Sequence, residues 1–392
     1  MASIDTAKRV ERALMVQVIW GSLSKEEAED SLGELERLAD TAGAEVIGRI
    51  TQRRERPTAN FHVGEGKLAD IQLACRQAKA NLIIFDNELT SVQVNNLDLA
   101  LDIKVIDRAE LILQIFARRA QSAESQLQVE LAQLQYLISR IPVSEKQQRF
   151  QGGIGMKGPG ESPLQLRNEP MRHRIRELKK KLEGIRERQQ RTRSRRPWPL
   201  VCLVGYTNAG KSTLLNAFAS SDAYVDDRLF STLDTKTRMV KLGAGRQVLM
   251  TDTVGFIRHL PHGLVASFRS TLDVAAAADL LLVVADAGHP RLGDHLEVVR
   301  ETLMEIAAHK VPSLMVLNKC DSVPPEVVEQ WLKEYPEAIP VSAVKKDGFD
   351  RLKEAIAAGT AYYHAGYAGR RTWQPPPPPP AGEEPAAEET TP

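Results

Sequence analysis

The chain has 392 residues, of which 42% are hydrophobic and 26% are charged, and its formal net charge is +1. These values describe an ordinary soluble protein with room for two or three domains, each large enough to bury a core. Three scattered cysteines, Cys75, Cys202 and Cys320, argue against a disulfide framework and against a cysteine metal site. Because no apolar signal core or transmembrane-length segment is present, we expect a cytoplasmic protein.

The first region, residues 1–117, alternates strand-like and helix-like segments. Ser24 is followed three residues later by Glu27, which is the capping-box spacing found at the start of a helix. The order strand, helix, strand, helix, strand predicts a small parallel sheet covered by helices. The predicted strands cover residues 15–20, 45–50, 82–85 and 104–106, and predicted helices lie near 66–80 and 90–101.

Some short features of this region allow two interpretations. The segment Val63-Gly64-Glu65-Gly66-Lys67 could cradle an anion, but a plain turn at a helix start is the favoured interpretation. Asp86 and Asp107 each end a predicted strand, where a carboxylate could contact a ligand or cap the next helix. Capping is the favoured interpretation for both.

Residues 118–196 carry the clearest periodicity in the chain. Two apolar stripes recur at steps of three and four, one from Leu127 to Ile141 and one from Met171 to Ile185. They predict an antiparallel hairpin of two equal helices, each about 24 residues and roughly 36 Å long. The connector between them includes the glycine-rich segment 151–161, which cannot form a packed element.

The second helix of this hairpin is strongly basic. A solvated helix face would explain an ordinary run of charge, but this excess is one-sided and lies beside a tip that also carries Arg149 and Lys157. We therefore favour contact with nucleic-acid phosphates. Because stacking aromatics are nearly absent, structured RNA is favoured over a single strand. The basic residues are Arg172, Arg174, Arg176, Lys179, Lys180, Lys181, Arg186, Arg188, Arg191, Arg193, Arg195 and Arg196.

A glycine-rich turn follows the apolar run at 200–204. Its sequence is Gly205-Tyr206-Thr207-Asn208-Ala209-Gly210-Lys211-Ser212, with the spacing GxxxxGK[ST], and it leads through Thr213 into an apolar helix. The glycines let backbone amides approach phosphates, and the helix start adds its own unpaired amides. Lys211 can reach the β- and γ-phosphates, and the Ser212 hydroxyl can bind Mg²⁺. This turn predicts a nucleoside triphosphate site.

A second motif, Asp252-Thr253-Val254-Gly255, follows the strand-like residues 247–251. We expect that strand to pair with residues 238–242 across Gly243-Ala244-Gly245. An acid at the end of a strand can hold Mg²⁺ through water, and the Gly255 amide can meet a γ-phosphate. The motif therefore predicts a γ-phosphate sensor.

A third motif, Asn318-Lys319-Cys320-Asp321, follows the apolar residues 314–317 and predicts which nucleotide base is bound. The Asp321 carboxylate can accept two hydrogen bonds from guanine, whereas adenine lacks that donor pair. Asn318 would tie this loop to the glycine-rich turn at 205–212, the P-loop, and the Lys319 stem could cover the plane of the base. The turn Ser342-Ala343-Val344 could offer a backbone amide to guanine O6. Together the motifs predict a GTPase domain at 197–366, and Asp321 disfavours an ATPase or kinase.

Residues 228–238 and 252–261 resemble the HflX family of ribosome-associated GTPases. The resemblance extends to residues 85–89, 105–108, 128–134 and 152–161 and covers nearly the whole chain. It implies an α/β fold in which a small α/β domain and a long helical hairpin precede a P-loop GTPase domain with a mostly parallel sheet. It also implies binding of GTP or GDP with Mg²⁺, association with the large ribosomal subunit and its rRNA, and splitting or rescue of stalled or idle ribosomes.

The resemblance assigns nucleotide contacts to Phe230-Ser231-Thr232-Leu233-Asp234. In that assignment Thr232 is the switch threonine, which binds Mg²⁺ and reports the γ-phosphate; the alternative is an ordinary hydroxyl in a mobile loop. The sequence departs from the family pattern at 162–170, where Pro163 and Pro170 are expected to delay the second helix of the hairpin.

Phe256 stands where many GTPases carry a glutamine that orients the attacking water, and phenylalanine cannot hydrogen-bond that water. We therefore expect slow intrinsic hydrolysis that a partner or a bound cation completes, so that Lys211, Thr232, Gly255 and Asn208 are the candidate catalytic residues. Asn208 resembles the asparagine that coordinates K⁺ in cation-dependent relatives. The alternative is a turn residue that tolerates positive φ.

The remaining expectations concern the whole chain. Residues 367–392 are rich in proline and glutamate and predict a disordered tail. We expect a monomer that binds neither DNA nor a membrane. A rival hypothesis is a ribosome- or RNA-binding scaffold in which GTP is mainly structural.

Overall fold

The fold is described by a computed structural model that covers residues 10–21, 23–140, 163–193, 196–219, 229–230, 232–258 and 269–361. Within it, only the backbone is described for residues 163–168, 189–193 and 269–271. The glycine-rich tip of the hairpin, Ser231 and the predicted tail lie outside these ranges.

The N-terminal domain contains a four-stranded sheet in which all neighbouring strands are parallel, in the order β2-β1-β3-β4. This confirms the predicted small parallel sheet. Its strands are β1 (Glu11–Ile19), β2 (Ala44–Arg53), β3 (Leu82–Phe85) and β4 (Lys104–Asp107). The helices that cover it are α1 (Lys25–Ala42), α2 (Glu65–Ala78), α3 (Ser91–Leu101) and α4 (Arg108–Arg119).

The helix starts in this domain follow the predicted side-chain signals. The Glu27 amide donates to Ser24 Oγ at 3.1 Å, and the Ser24 amide donates to Glu27 Oε2 at 2.9 Å, which completes the predicted capping box of α1. Gly64 is the N-cap of α2, so the turn interpretation of residues 63–67 is confirmed. Asp107 caps α4 by accepting from the Glu110 amide at 3.0 Å.

The capping interpretation of Asp86 is wrong. The helix that follows it, α3, begins only at Ser91 and is capped by Thr90, so Asp86 is too far upstream to serve. Its carboxylate is buried and accepts hydrogen bonds from Arg108 at 2.7 Å, Ser31 at 2.7 Å and Gln17 at 2.8 Å. Burial alone would raise the pKa of Asp86, but the Arg108 charge and these hydrogen bonds hold it below its ordinary value.

Two long helices follow, α5 (Ala123–Arg140) with 18 residues and α6 (Pro163–Arg193) with 31 residues. They pack against each other, with Leu131 and Leu178 of the apolar stripes buried, and Arg174 donates to both carboxylate oxygens of Glu130. The two helices therefore pair, as predicted, and because the described residues stop at Arg140, the equal length of the two helices stays a prediction.

The expected delay of the second helix is also wrong. Helix α6 begins at Pro163 and contains Pro170. A proline at the first helical position costs nothing, because its missing N–H would have had no partner there. Pro170 removes one hydrogen bond inside the helix, and the remaining turns outweigh this local cost.

The region predicted to be a GTPase domain contains a six-stranded sheet in the order β10-β9-β8-β5-β7-β6, in which the described strands pair in parallel except for β6 and β7, which are antiparallel. The β6–β7 turn is Gly243-Ala244-Gly245, with positive φ at all three residues, which confirms the predicted pairing. Its strands are β5 (Leu200–Gly205), β6 (Lys236–Gly243), β7 (Arg246–Asp252), β8 (Leu280–Asp286), β9 (Ser313–Asn318) and β10 (Ile339–Pro340). Its helices are α7 (Lys211–Ala219), α8 (Arg269–Ala276), α9 (Leu292–Glu305), α10 (Pro325–Glu334) and α11 (Phe349–Gly359).

One hydrophobic cluster joins the N-terminal domain to the GTPase domain. It runs from the sheet and helices α1 and α4 through Val129 and Ala132 of α5. On the GTPase side it includes Tyr206, Leu229, Phe230, Leu233, Val254 and Ile257. The two domains therefore share a core. Within the described ranges, no helix is long and apolar enough to cross a membrane.

Candidate nucleotide-binding site

The P-loop connects β5 to α7 through positions that exclude side chains. Gly205 has φ +151°, and a Cβ there would lie 2.2 Å from the Val284 carbonyl oxygen. Gly210 has φ +89°, and a Cβ there would lie 2.2 Å from Asn318 Nδ2. Both glycines are required by the backbone conformation and by the close approach of neighbouring strands. The turn therefore presents backbone amides and not side chains to the space in front of α7.

Lys211 begins α7 and is buried beneath the turn. Its Nζ donates to the carbonyl oxygens of Gly205 at 3.0 Å and Tyr206 at 2.8 Å. Burial lowers the pKa of Lys211 to about 8, against the opposing charge of Asp252. No carboxylate of the described residues lies within ion-pairing distance of it. A buried ammonium group of this kind is stabilised by an anion that arrives from outside, such as a phosphate.

Three oxygen-bearing side chains meet beside Lys211. Ser212 Oγ lies 2.7 Å from Thr232 Oγ1 and donates to Asp252 Oδ2 at 2.5 Å. Burial raises the pKa of Asp252, while Lys211 and the hydroxyl groups oppose that shift, and Asp252 Oδ1 has no hydrogen-bond partner. Among the described residues no three His, Cys, Asp or Glu side chains group into a metal site by themselves. The two hydroxyls with this carboxylate form the hard oxygen set that Mg²⁺ takes in phosphate sites.

Gly255 faces this cluster across the turn. A Cβ at Gly255 would lie 2.7 Å from Thr207 Cα and 3.0 Å from Lys211 Nζ. The next residue, Phe256, accepts from the Thr207 amide at 2.8 Å and donates its own amide to the Gly205 carbonyl at 3.1 Å. Its side chain is buried in the apolar cluster behind β5. The Phe256 backbone is therefore bonded to the P-loop, while its side chain packs in the apolar cluster and not in front of α7.

The base end of the site is built by Asn318. Its Nδ2 donates to the Ala209 carbonyl at 2.9 Å, and its Oδ1 accepts from the Ala343 amide at 3.1 Å. The neighbouring Lys319 has φ +64°, and its Nζ donates to Asp286 Oδ2 at 2.8 Å. Asn318 thus holds three separate loops together. The Ala343 amide, in the turn that we predicted could meet guanine O6, is bonded to the Asn318 side chain.

These segments enclose a cavity of about 440 Å³. Its lining joins the P-loop, Thr232, Thr253 after the end of β7, and the loops at 318–322 and 343–344. It includes Ser322, which we did not predict and which stands next to Asp321. The predicted residues that line it are Thr207, Asn208, Gly210, Lys211, Ser212, Thr213, Phe230, Thr232, Thr253, Gly255, Asn318, Lys319, Asp321, Ala343 and Val344.

Family models match three consecutive parts of the chain: GTP-binding GTPase N-terminal at 29–117, GTP-binding GTPase Middle Region at 119–196 and 50S ribosome-binding GTPase at 200–319. GTPase HflX of Caldanaerobacter subterraneus is 45% identical over 356 residues, which cover 90% of this chain and 81% of the relative. GTPase HflX of Escherichia coli is 39% identical over 352 residues, which cover 88% and 82%. The chain belongs to the HflX family of GTPases.

A solved structure is similar over the same length. The crystal structure of SsGBP in complex with GDP shares 26% identity and a TM-score of 0.50, covering 90% of this chain and 99% of that one. As a member of the HflX family, this protein is a GTP-binding switch protein and a GTPase. The resemblance and the predicted enzyme class are thereby confirmed.

Several residues that we assigned to the nucleotide of this HflX-family protein lie off the cavity. Leu233 and Val254 are buried in the hydrophobic cluster shared with the N-terminal domain, where their apolar side chains are removed from water. The Cys320 thiol donates to the Leu317 carbonyl at 3.2 Å. Asp234 hydrogen-bonds the start of α5. Gly205, Ala209 and Ser342 contribute by shaping their turns, and Ser231 lies outside the described residues.

The side chain of Tyr206 also turns away from the nucleotide cavity of the HflX-family site. Its hydroxyl donates to Glu34 Oε1 of α1 at 2.5 Å and accepts from the Arg258 amide at 3.0 Å, and its ring stacks on His295 at 3.6 Å. Glu34 in turn pairs with the buried Arg108 at 2.8 Å. The P-loop is therefore bonded directly to the N-terminal domain. Sequence motifs missed this contact because its two ends are 172 residues apart.

Proposed function

We propose that this GTPase uses its nucleotide state to control binding to the large ribosomal subunit, and that it separates or rescues stalled or idle ribosomes. The observation that carries the partner is the exposed basic face of α6. Glutamates pair with Arg174 and Arg176, but the face keeps many cations in solvent. Among the α6 side chains that the structure describes, the exposed cations are Arg172, Arg176, Lys179, Lys180, Lys181 and Arg188. An RNA backbone is the natural partner for such a face.

The match of residues 200–319 to a model described as 50S ribosome-binding GTPase supports the same partner. The match to GTPase HflX of Caldanaerobacter subterraneus covers 90% of this chain, and the middle-region model covers residues 119–196. The basic helix α6 lies within that middle region. The association with rRNA through α6 is our proposal for this chain.

The chain's own residues suggest how GTP is held and cleaved. We propose that Lys211 binds the β- and γ-phosphates, that the Gly255 amide contacts the γ-phosphate, and that Asp321 selects guanine. Ser212, Thr232 and Asp252 would hold Mg²⁺, which neutralises phosphate charge when bound. Asn318 keeps the base loops and the P-loop in register through its two hydrogen bonds.

Slow unassisted turnover is part of this proposal. Phe256 packs behind β5, so its side chain leaves the attacking water without a protein partner at that position. A ribosomal partner or a monovalent cation would complete the site. Asn208 lines the cavity at φ +61°, which suits the turn interpretation, and K⁺ binding there remains a second proposal. Equal hydrolysis rates in Na⁺ and K⁺ buffers, with and without ribosomes, would remove the K⁺ proposal.

The test is GTP hydrolysis with and without purified large ribosomal subunits. We expect strong stimulation by the subunits, and a variant with Lys179, Lys180 and Lys181 changed to Gln should lose most of it while keeping its unstimulated rate. The control removes the same charge elsewhere on the surface, at Lys241, Lys310 and Lys333. Stimulation that survives the first triple variant would contradict α6 as the contact, and no stimulation at all would favour a scaffold with structural GTP.

A further inference from the structure

The structure holds Asp234 away from the nucleotide cavity, two residues after the switch threonine Thr232. Its Oδ1 accepts from Ser122 Oγ at 2.6 Å. Its Oδ2 accepts from the amides of Gln121 at 3.0 Å and Ser122 at 3.2 Å. Gln121 and Ser122 immediately precede α5, the first helix of the α5–α6 hairpin, which we call the basic arm. One carboxylate therefore links the segment at 232–234 to this arm.

Ser122, which donates to Asp234, also caps the start of α5. Ser122 Oγ accepts from the Ser125 amide at 3.1 Å and so caps the helix. A carboxylate beside the first turn of a helix also interacts favourably with the helix dipole. Burial alone would raise the pKa of Asp234, but its hydrogen bonds from Ser122, Ser125 and Gln121 hold it below the ordinary value. The contact is therefore made by the charged form.

Phe230 and Leu233, on either side of Thr232, are packed against the N-terminal domain and α5. Leu233 is 2% exposed and belongs to the cluster that includes Val129 and Ala132 of α5. Phe230 meets Phe116 of α4 edge to face, with 4.7 Å between ring centroids. At the other end Thr232 lies 2.7 Å from Ser212. Because a single buried residue separates Thr232 from Asp234, we expect a shift of Thr232 to move Asp234.

We propose that Asp234 is a positioning residue that couples the switch threonine to the start of helix α5. While Thr232 is held at Ser212 and Asp252, Asp234 holds Gln121 and the capping residue Ser122 in place. When Thr232 leaves that cluster, these hydrogen bonds are lost and the first turn of α5 loosens. This inference rests on the proposed role of Thr232, but it needs no ribosome.

The test is amide hydrogen exchange of the full chain over residues 120–126, with Mg²⁺ and either GDP or a non-hydrolysable GTP analogue. In the wild type we expect slower exchange in the triphosphate state. In Asp234→Asn the amides of Gln121 and Ser122 should exchange at least about tenfold faster in that state, since hydrogen bonds to charged acceptors are worth about 1.5 kcal/mol or more. The difference between the two nucleotides should disappear there.

A structural defect alone would not produce that result. Asp98→Asn is the matched control, because Asp98 Oδ1 accepts from the Val105 amide at 2.8 Å at a distance from the switch. That variant should keep the nucleotide-dependent difference. Asp234→Asn should also lower kcat for GTP while leaving GDP affinity unchanged, because GDP makes no demand on the switch threonine.

Ser122→Ala provides a second variant, which removes the 2.6 Å bond and leaves the carboxylate in place. We expect it to reduce the nucleotide-dependent difference. The inference is overturned if wild-type exchange at 120–126 is the same with both nucleotides, or if both variants keep the wild-type difference. A Thr232→Ala variant with unchanged turnover would instead remove the proposed role of Thr232, so the two failures are distinguishable.

Discussion

Gly255 shows how an absent side chain can define a site. Its backbone conformation is open to other residues, yet the space beside it belongs to Thr207 and Lys211. The P-loop and the strand end at Asp252 approach so closely that only a hydrogen fits between them. The requirement for glycine there is one of space and not of φ.

We predict that Gly255→Ala lowers GTP turnover by roughly a hundredfold, the cost of losing one well-placed donor to a developing charge. GDP affinity should fall less than turnover, because the Gly255 amide is proposed to serve the γ-phosphate, whereas the displaced Lys211 also serves the β-phosphate. Single-turnover hydrolysis and GDP titration measure the two effects. Gly66→Ala is the control, since a Cβ at Gly66 meets nothing within 4 Å. Equal losses of GTP and GDP binding would contradict this role.

We propose that Asp321 selects the base. It is exposed and lines the cavity, and no hydrogen bond or ion pair holds its carboxylate within the part of the chain that the structure describes. We predict that Asp321→Asn weakens GTP binding by at least about a hundredfold, since a bidentate charged pair is lost, and improves binding of xanthosine triphosphate. Competition between the two nucleotides measures the change. Asp347→Asn, at an exposed carboxylate on the neighbouring loop, should leave the preference intact.

Among the elements, α6 shows how two prolines can have unequal effects. Pro163 stands at the first position of the helix and Pro170 stands inside it. Our sequence prediction treated both as breakers, because local rules weigh a proline without knowing where the helix begins. Where the helix begins is not contained in the few residues around each proline.

We predict that Pro170→Ala stabilises the α5–α6 pair by up to about 3 kcal/mol, because alanine restores a hydrogen bond and removes a ring clash. Pro163→Ala should change stability by far less. Thermal unfolding of both variants and the wild type measures the effect. Equal shifts for the two substitutions would show that position within the helix does not matter.

The first sheet shows how a binding position can be filled from within. Open α/β sheets bind ligands at the carboxyl ends of the strands where the connections reverse, which here lies between β1 and β3. Asn87 spans that position by bonding both backbone groups of Val18, and Asp86 pairs there with Arg108. The polar groups at this edge hold α1 and α4, and α1 in turn holds Tyr206 of the P-loop.

At the scale of the whole molecule, local signals predicted the elements and the motifs, while contacts between distant segments escaped them. The Ser24 cap, the parallel strands and the β6–β7 turn depend on neighbouring residues, and each was predicted correctly. The Tyr206–Glu34 bond and the Asp234–Ser122 bond join segments more than 100 residues apart. No periodicity or motif encodes such pairs, which is why sequence analysis did not reveal that Asp234 contacts the start of α5.

The domain interface should also respond to pH. Burial, together with His289, Arg258, Arg37 and Arg291, lowers the pKa of His295 from 6.5 to about 3. Between these values the unfolded chain binds a proton that the folded chain refuses, so stability falls as pH decreases from 6.5 toward 3, by at most about 1.4 kcal/mol per pH unit.

We predict that His295→Phe, which keeps the stacking on Tyr206, flattens the decline of melting temperature between pH 6.5 and 5. Thermal melts across that range measure it. His173→Phe replaces an exposed histidine of α6 and should retain the wild-type decline. An unchanged slope in His295→Phe would mean that other groups at the interface take up the proton.

The shared hydrophobic cluster has a consequence for modularity. A fragment that begins at β5 would contain every nucleotide motif, yet it would expose Leu229, Phe230, Leu233 and Ile257, which the intact chain covers with α1, α4 and α5. Such a surface favours self-association. This GTPase domain is therefore ill suited to being excised or transplanted, and any exchange between relatives should carry the N-terminal domain and the base of the arm along with it.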